Sequence, residues 1–126
     1  MRRLVALLPL LAACSVSQPP RSPDPFEGGA RSEGRLDGGA SAAQTAFCVS
    51  REVPLSLVAL PPDGAAVRPA PGTVAADRPD YALTIRQTRD GITWLRQVAD
   101  ADPAAAAAIA YRLDRALAAC APGGDA

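Results

Sequence analysis

The sequence predicts a small α+β protein with short antiparallel strands, one C-terminal helix and a disordered N-terminal tether. Three observations lead there. Alternating apolar residues flank Asp90-Gly91, an alanine-rich run follows Asp102-Pro103, and residues 15–45 are rich in proline, glycine and serine. The competing architecture is an all-α helical hairpin, because residues 81–99 also carry a helical stripe.

The N-terminal region comes first. Residues 15–45 hold four prolines, five glycines and five serines, with Val16, Phe26 and Leu36 as the only larger apolar groups. Such a stretch buries too little surface to offset its ordering entropy. As a coil it spans roughly 30 Å, and fully extended at most about 100 Å. Order is expected from Ala46 to Ala121. Phe47, Val49 and Val53 alternate with Cys48, Ser50 and Glu52, a period-two pattern that suits a half-buried strand. Pro54 marks an edge or a bend. Leu55 to Leu60 reads as a second strand, stopped by the turn residues Pro61-Pro62-Asp63-Gly64. Residues 65–79, with Pro69, Pro71, Gly72 and Pro79, read as an irregular connection.

Tyr81 to Ala99 has two readings. As a hairpin, Asp90-Gly91 supplies a type I′ turn. Tyr81, Leu83 and Ile85 then share a face with Ile92, Trp94 and Val98, while Ala82, Thr84, Arg86 and Thr88 lie opposite with Thr93, Leu95, Gln97 and Ala99. As a helix, Tyr81, Ile85, Thr88, Ile92, Leu95 and Ala99 form a stripe, but Leu83, Trp94 and Val98 fall on the other side. Gly91 and the β-branched residues between Thr84 and Thr93 favour the hairpin. The last element is a helix: Asp102 is a good N-cap, Pro103 suits the first helical position, and Ala104–Ala108 has the highest intrinsic propensity. Ile109, Leu113, Ala116, Leu117 and Cys120 recur at helical spacing and form its packed face. Arg112 and Arg115 suit the negative end of the macrodipole. Pro122-Gly123-Gly124 ends the helix, and residues 122–126 are expected to be a disordered tail.

Composition narrows the chemistry. The chain has no histidine, and all 13 of its basic residues are arginine. It therefore lacks the commonest general base and metal ligand, and it lacks lysine for Schiff-base chemistry. The formal net charge is zero, which gives no electrostatic footprint for nucleic acid. Asp100 and Asp102, with Asp90 nearby, are explained by turns and caps. Arg86, Arg89 and Arg96, interleaved with Gln87 and Gln97, fit a solvated face, and Trp94 and Tyr111 fit a core. No phosphate loop, nucleophile elbow or metal-ligand cluster is present. The expectation is a non-enzyme with no cofactor, no bound metal and no catalytic residue. A small enzyme using carboxylates and hydroxyls is the alternative from another class.

Leu11-Ala12-Ala13-Cys14 follows a basic start, Met1-Arg2-Arg3, and an apolar run from Leu4 to Leu11 that is too short to span a bilayer. This order resembles a bacterial lipoprotein signal. The resemblance implies that residues 1–13 are a signal peptide and that Cys14 is the lipidated first mature residue, heading a tether over 14–45. Ser15 lacks the aspartate of inner-membrane retention, so the same resemblance implies the periplasmic face of the outer membrane. With Cys14 lipidated, Cys48 and Cys120 are the remaining pair, and an oxidising compartment favours a disulfide between them. Closing that loop is worth about 4 kcal/mol on a chain-entropy model. The expected partners are the membrane, through the lipid, and an unidentified envelope protein. Cys14, Cys48, Val53-Pro54-Leu55-Ser56-Leu57, Pro61-Pro62 and the helix ending at Cys120 also resemble phage outer-membrane spanins, which implies a role in lysis beside an inner-membrane partner.

Overall fold

Alternation of apolar and polar residues sets the strands, and the strands set where the helices rest. The computed structural model describes residues 24–36 and 40–121. It contains β1 (Ala30–Leu36), α1 (Ala42–Glu52), β2 (Ser56–Ala59), β3 (Gly64–Pro69), β4 (Tyr81–Thr88), β5 (Gly91–Val98) and α2 (Pro103–Cys120). The five strands form one sheet in the order β1-β5-β4-β3-β2, with every neighbouring pair antiparallel. From β2 to β5 the chain runs as a meander. β1 pairs with β5 at one edge, so α1 carries the chain across to β2 at the other.

The β4–β5 register places Tyr81 opposite Val98, Leu83 opposite Arg96 and Ile85 opposite Trp94. One face therefore gathers Tyr81, Leu83, Ile85, Ile92 and Val98, joined by Ala65 and Val67 from β3. Both helices cover this face. α1 contributes Ala42, Ala46 and Val49, and α2 contributes Leu113, Ala116, Leu117 and Cys120. Each fully buried Leu, Ile or Val contributes about 1.5–3 kcal/mol relative to its exposed state. The opposite face carries Thr84, Arg86, Thr93, Leu95 and Gln97, and no helix or strand among the described residues covers it. The result is a two-layer α+β domain.

The hairpin over residues 81–99 and the C-terminal helix form as the sequence predicts. Asp102 accepts a hydrogen bond from the Ala105 amide at 3.1 Å, with Pro103 opening the helix. The turn differs in detail. Thr88 pairs with Gly91, which leaves Arg89 and Asp90 as the two loop residues, and neither has positive φ. The expected type I′ turn on Asp90-Gly91 is therefore replaced by a turn one residue earlier. Gly91, at φ 137°, opens β5 in a conformation that side chains rarely adopt. Its carbonyl accepts from the Thr88 hydroxyl at 2.9 Å.

Other expectations are corrected. The described residues contain two helices rather than one, and residues 46–52 are helical rather than a strand. Ser41 and Gln44 form a capping box: the Ser41 hydroxyl accepts from the Gln44 amide at 3.1 Å, and the Gln44 side chain accepts from the Ser41 amide at 3.0 Å. Ala42, Thr45, Ala46 and Val49 then recur on one buried face, while Phe47 points to solvent. The Phe47-Val49-Val53 alternation is outweighed by this smaller-residue stripe. The extended sheet also overturns the all-α alternative.

The expected tether reaches too far along the chain. Ala30–Leu36 is an edge strand and α1 begins at Ala42, so order does not start at Ala46. Phe26 is likewise in use, with the Arg68 guanidinium 5.9 Å from its ring centroid. Residues 1–23, which include the expected signal peptide and Cys14, lie outside the described residues, as do 37–39 and the expected tail 122–126. Finally, the stretch expected to be irregular over 65–79 begins with β3. A Cβ on Gly64 would stand 2.1 Å from the Ile85 carbonyl oxygen, so only glycine permits this approach of β3 to β4.

Candidate functional site

Cys48 and Cys120 are bonded to each other, with their Cα atoms 5.8 Å apart. The expected pairing is present, but it joins α2 to a helix rather than to a strand. Cys48 lies midway along α1 and Cys120 ends α2, so the cystine fastens the two covering helices together. It closes a loop with a sequence separation of 72.

The polar residues singled out in the sequence scatter. Asp102 caps α2, Asp90 sits in the hairpin turn, and Asp100 lies beside Gly28. Arg86 pairs with Asp63 at 3.8 Å on the uncovered face. Arg96 does not share that solvated setting. Its side chain is 12% exposed, and one guanidinium nitrogen reaches Asp114 on α2 and the Ala110 carbonyl, while Nε is buried without a partner. Arg96 thus links the sheet to α2. Tyr111 is not a core residue: it is 63% exposed, with Arg115 5.8 Å from its ring. Trp94 is half-buried, and its ring lies over Gly34 of β1.

A cleft of about 360 Å³ opens where the start of β4, the connection from α1 to β2, and the first turns of α2 meet. Its walls are mainly apolar, with Val53, Leu55, Pro69, Tyr81 and Ile109 among them, and Asp77, Arg78 and Arg112 supply charge. Local chemistry fixes these walls. The Ser56 hydroxyl donates to the Val53 carbonyl at 2.7 Å, which ties down the end of α1. The Ala70 amide donates to the Leu55 carbonyl at 2.8 Å, joining the two flanking loops. Leu55 is held at φ 58°, a rare conformation for a branched side chain, and remains 51% exposed.

The opposite wall is equally tied. Thr73 donates its hydroxyl to the Ala70 carbonyl at 2.6 Å, and Ala75 and Arg78 exchange backbone hydrogen bonds at 2.9 and 3.0 Å. Asp80 accepts from the Tyr81 amide at 2.9 Å and pairs with Arg68 at 3.7 Å. Tyr81 itself is 4% exposed, and its hydroxyl is buried without a hydrogen-bond partner. Burial pushes the Tyr81 phenol pKa above its ordinary value; the neighbouring Ser56 hydroxyl opposes this and Asp80 adds to it.

The cleft offers apolar walls with charge at three positions. Its charged residues include no nucleophile beside a base. Among the described residues, no three His, Cys, Asp or Glu side chains cluster to hold a metal ion, and no helix is long and apolar enough to cross a membrane. Sequence reasoning missed the cleft because Leu55, Arg78, Tyr81 and Arg112 come from four separate segments, each with an ordinary local explanation. No family model, curated protein or solved structure matches the chain.

Proposed function

We propose that this chain is a lipid-anchored envelope lipoprotein whose small disulfide-linked domain is a non-catalytic binding module. Cys14 carries the lipid, and the domain faces the periplasm from the outer membrane. The observation that carries this reading is the Cys48–Cys120 bond. Structural disulfides form and persist in oxidising compartments, where an exported protein folds. The order Met1-Arg2-Arg3, Leu4 to Leu11, then Leu11-Ala12-Ala13-Cys14 supports the same route. Several acyl chains at about 0.8 kcal/mol per buried methylene hold such a protein on the bilayer essentially permanently.

The binding role is supported by the preformed apolar cleft, whose volume lies within the range of small-molecule sites. β1 changes the geometry of the anchor. Between Cys14 and Ala30 the chain reaches at most about 55 Å, so the domain works nearer the lipid surface than a tether ending at Ala46 permits. Metabolic labelling with palmitate tests the reading, together with fractionation of a Cys14→Ala variant. Label on the wild-type protein and release of the variant from membranes are expected. An unlabelled wild type, or a variant that stays in the membrane fraction, overturns the anchor.

A further inference from the structure

We infer that the cleft between the α1–β2 connection, the loop before β4 and α2 binds a small amphipathic monoanion, an acyl chain bearing a carboxylate. This rests on the reading of the domain as a binding module, and it adds the chemical class of ligand. Three features of the cleft carry it. The first is apolar surface left without a cover. Leu55, Pro69 and Ile109, backed by the buried Val53, line one concave space of about 360 Å³, and Leu55 is half in water although large and apolar. An aliphatic chain removes that surface from water, and such burial is favourable in proportion to area.

The second feature is charge. Arg78 and Arg112 stand at the cleft with Asp77, which leaves one positive charge in excess. The ion pairs among the described residues involve other arginines: Arg31, Arg68, Arg86 and Arg96. Arg78 and Arg112 therefore remain available, and a guanidinium matches a carboxylate in geometry as well as sign. A single carboxylate balances the excess, whereas a cationic amphiphile meets two like charges.

The third feature is preorganisation. The cleft walls are joined by the Ala70-to-Leu55 hydrogen bond, the Ala75–Arg78 pair and the Ser56 anchor. A site already held in shape loses little further freedom when a ligand enters. The α2 wall presents Ala105 and Ala108, and these short side chains leave room that a longer residue would fill.

The test uses the full-length, oxidised chain carrying Cys14→Ala, so that no acyl group of its own competes and the outcome is independent of anchoring. Decanoate, decanol and decyltrimethylammonium are titrated separately while amide NMR shifts are followed. Saturable decanoate shifts confined to residues around Leu55, Arg78, Tyr81 and Ile109 are expected. Decanoate should bind about fivefold tighter than decanol, the scale of two exposed ion pairs, and the cation should bind weakest. An Arg78→Gln/Arg112→Gln variant should lose the preference for decanoate yet keep decanol binding. Ala108→Leu, at an exposed helical position that accepts leucine, should abolish binding of both while the rest of the spectrum is unchanged. The inference is overturned by shifts that do not saturate or that spread over the surface, by equal binding of acid and alcohol, or by unaltered binding to Ala108→Leu. Failure here with palmitate still found on Cys14 removes the ligand and leaves the anchor; the reverse pattern removes the anchor and leaves the ligand.

Discussion

The two faces of the sheet come from the same strands and sit in opposite surroundings. On β4, Leu83 and Ile85 are sealed beneath the helices, while Thr84 and Arg86, one residue away in each case, face outward. On the covered side most contacts are aliphatic, and the charge held there, Arg96, is answered by Asp114 from α2. On the other side, charges at Arg31, Glu33, Arg86 and Asp63 meet in long, exposed pairs. The difference shows where stability resides. Packing and the cystine belong to the covered layer, whereas exposed ion pairs contribute roughly 0–1 kcal/mol each.

The largest expected effect comes from unfastening the covering layer. Cys48→Ser with Cys120→Ser should lower unfolding free energy by about 4 kcal/mol, measured by denaturant titration under non-reducing conditions. A loss below about 1 kcal/mol would show that the two helices stay docked without their covalent link. Next, Leu83→Ala should cost about 3 kcal/mol, and Thr84→Ala on the bare side less than about 0.5 kcal/mol. Similar costs at these adjacent positions would erase the distinction between the faces.

Asp114→Asn should cost about 1–2 kcal/mol, since it leaves the Arg96 charge under α2 without its counterion, although Asp114 itself is half exposed. Arg96→Met should cost less than Asp114→Asn, because it removes the buried charge altogether. The smallest effect concerns pH. The Tyr81 phenol is raised above 10.0 by burial in the folded state. The unfolded chain therefore loses its proton first, so this stabilisation is complete below pH 10 and is lost as pH rises through the folded value. Tyr81→Phe should flatten the alkaline part of the stability curve, followed by circular dichroism at increasing pH. An unchanged alkaline slope would mean that the ring is not sealed in the covered layer.

Much of this contrast was legible where large residues alternate. Tyr81, Leu83, Ile85, Ile92, Trp94 and Val98 define one side of the hairpin, and the faces survive even though the turn lies one residue earlier than expected. That robustness follows from the period of two, because the same parity results from either turn. α2 was legible from its cap, its proline and its spaced apolar positions. α1 was not, because its buried stripe is built from Ala42, Thr45 and Ala46, residues that look unremarkable beside a glycine-rich stretch. β1 was hidden more deeply. Ala30 to Leu36 has no apolar alternation, and its extended form is fixed by pairing with β5 rather than by its own side chains. The cystine was legible from the number of cysteines, while the cleft, which joins four separate segments, was not.

β1 also decides how the domain meets a mechanical load. If Cys14 is fixed in a membrane and a partner pulls on the domain, tension enters at Ala30 and runs along the strand. The ladder to β5 is then strained in shear, with its hydrogen bonds sharing the force from Ala30 to Leu36. Beyond it the pull reaches Cys48, where the covalent link to Cys120 lets it enter the intervening segment, with β2 to β5 and the cleft, from both ends at once.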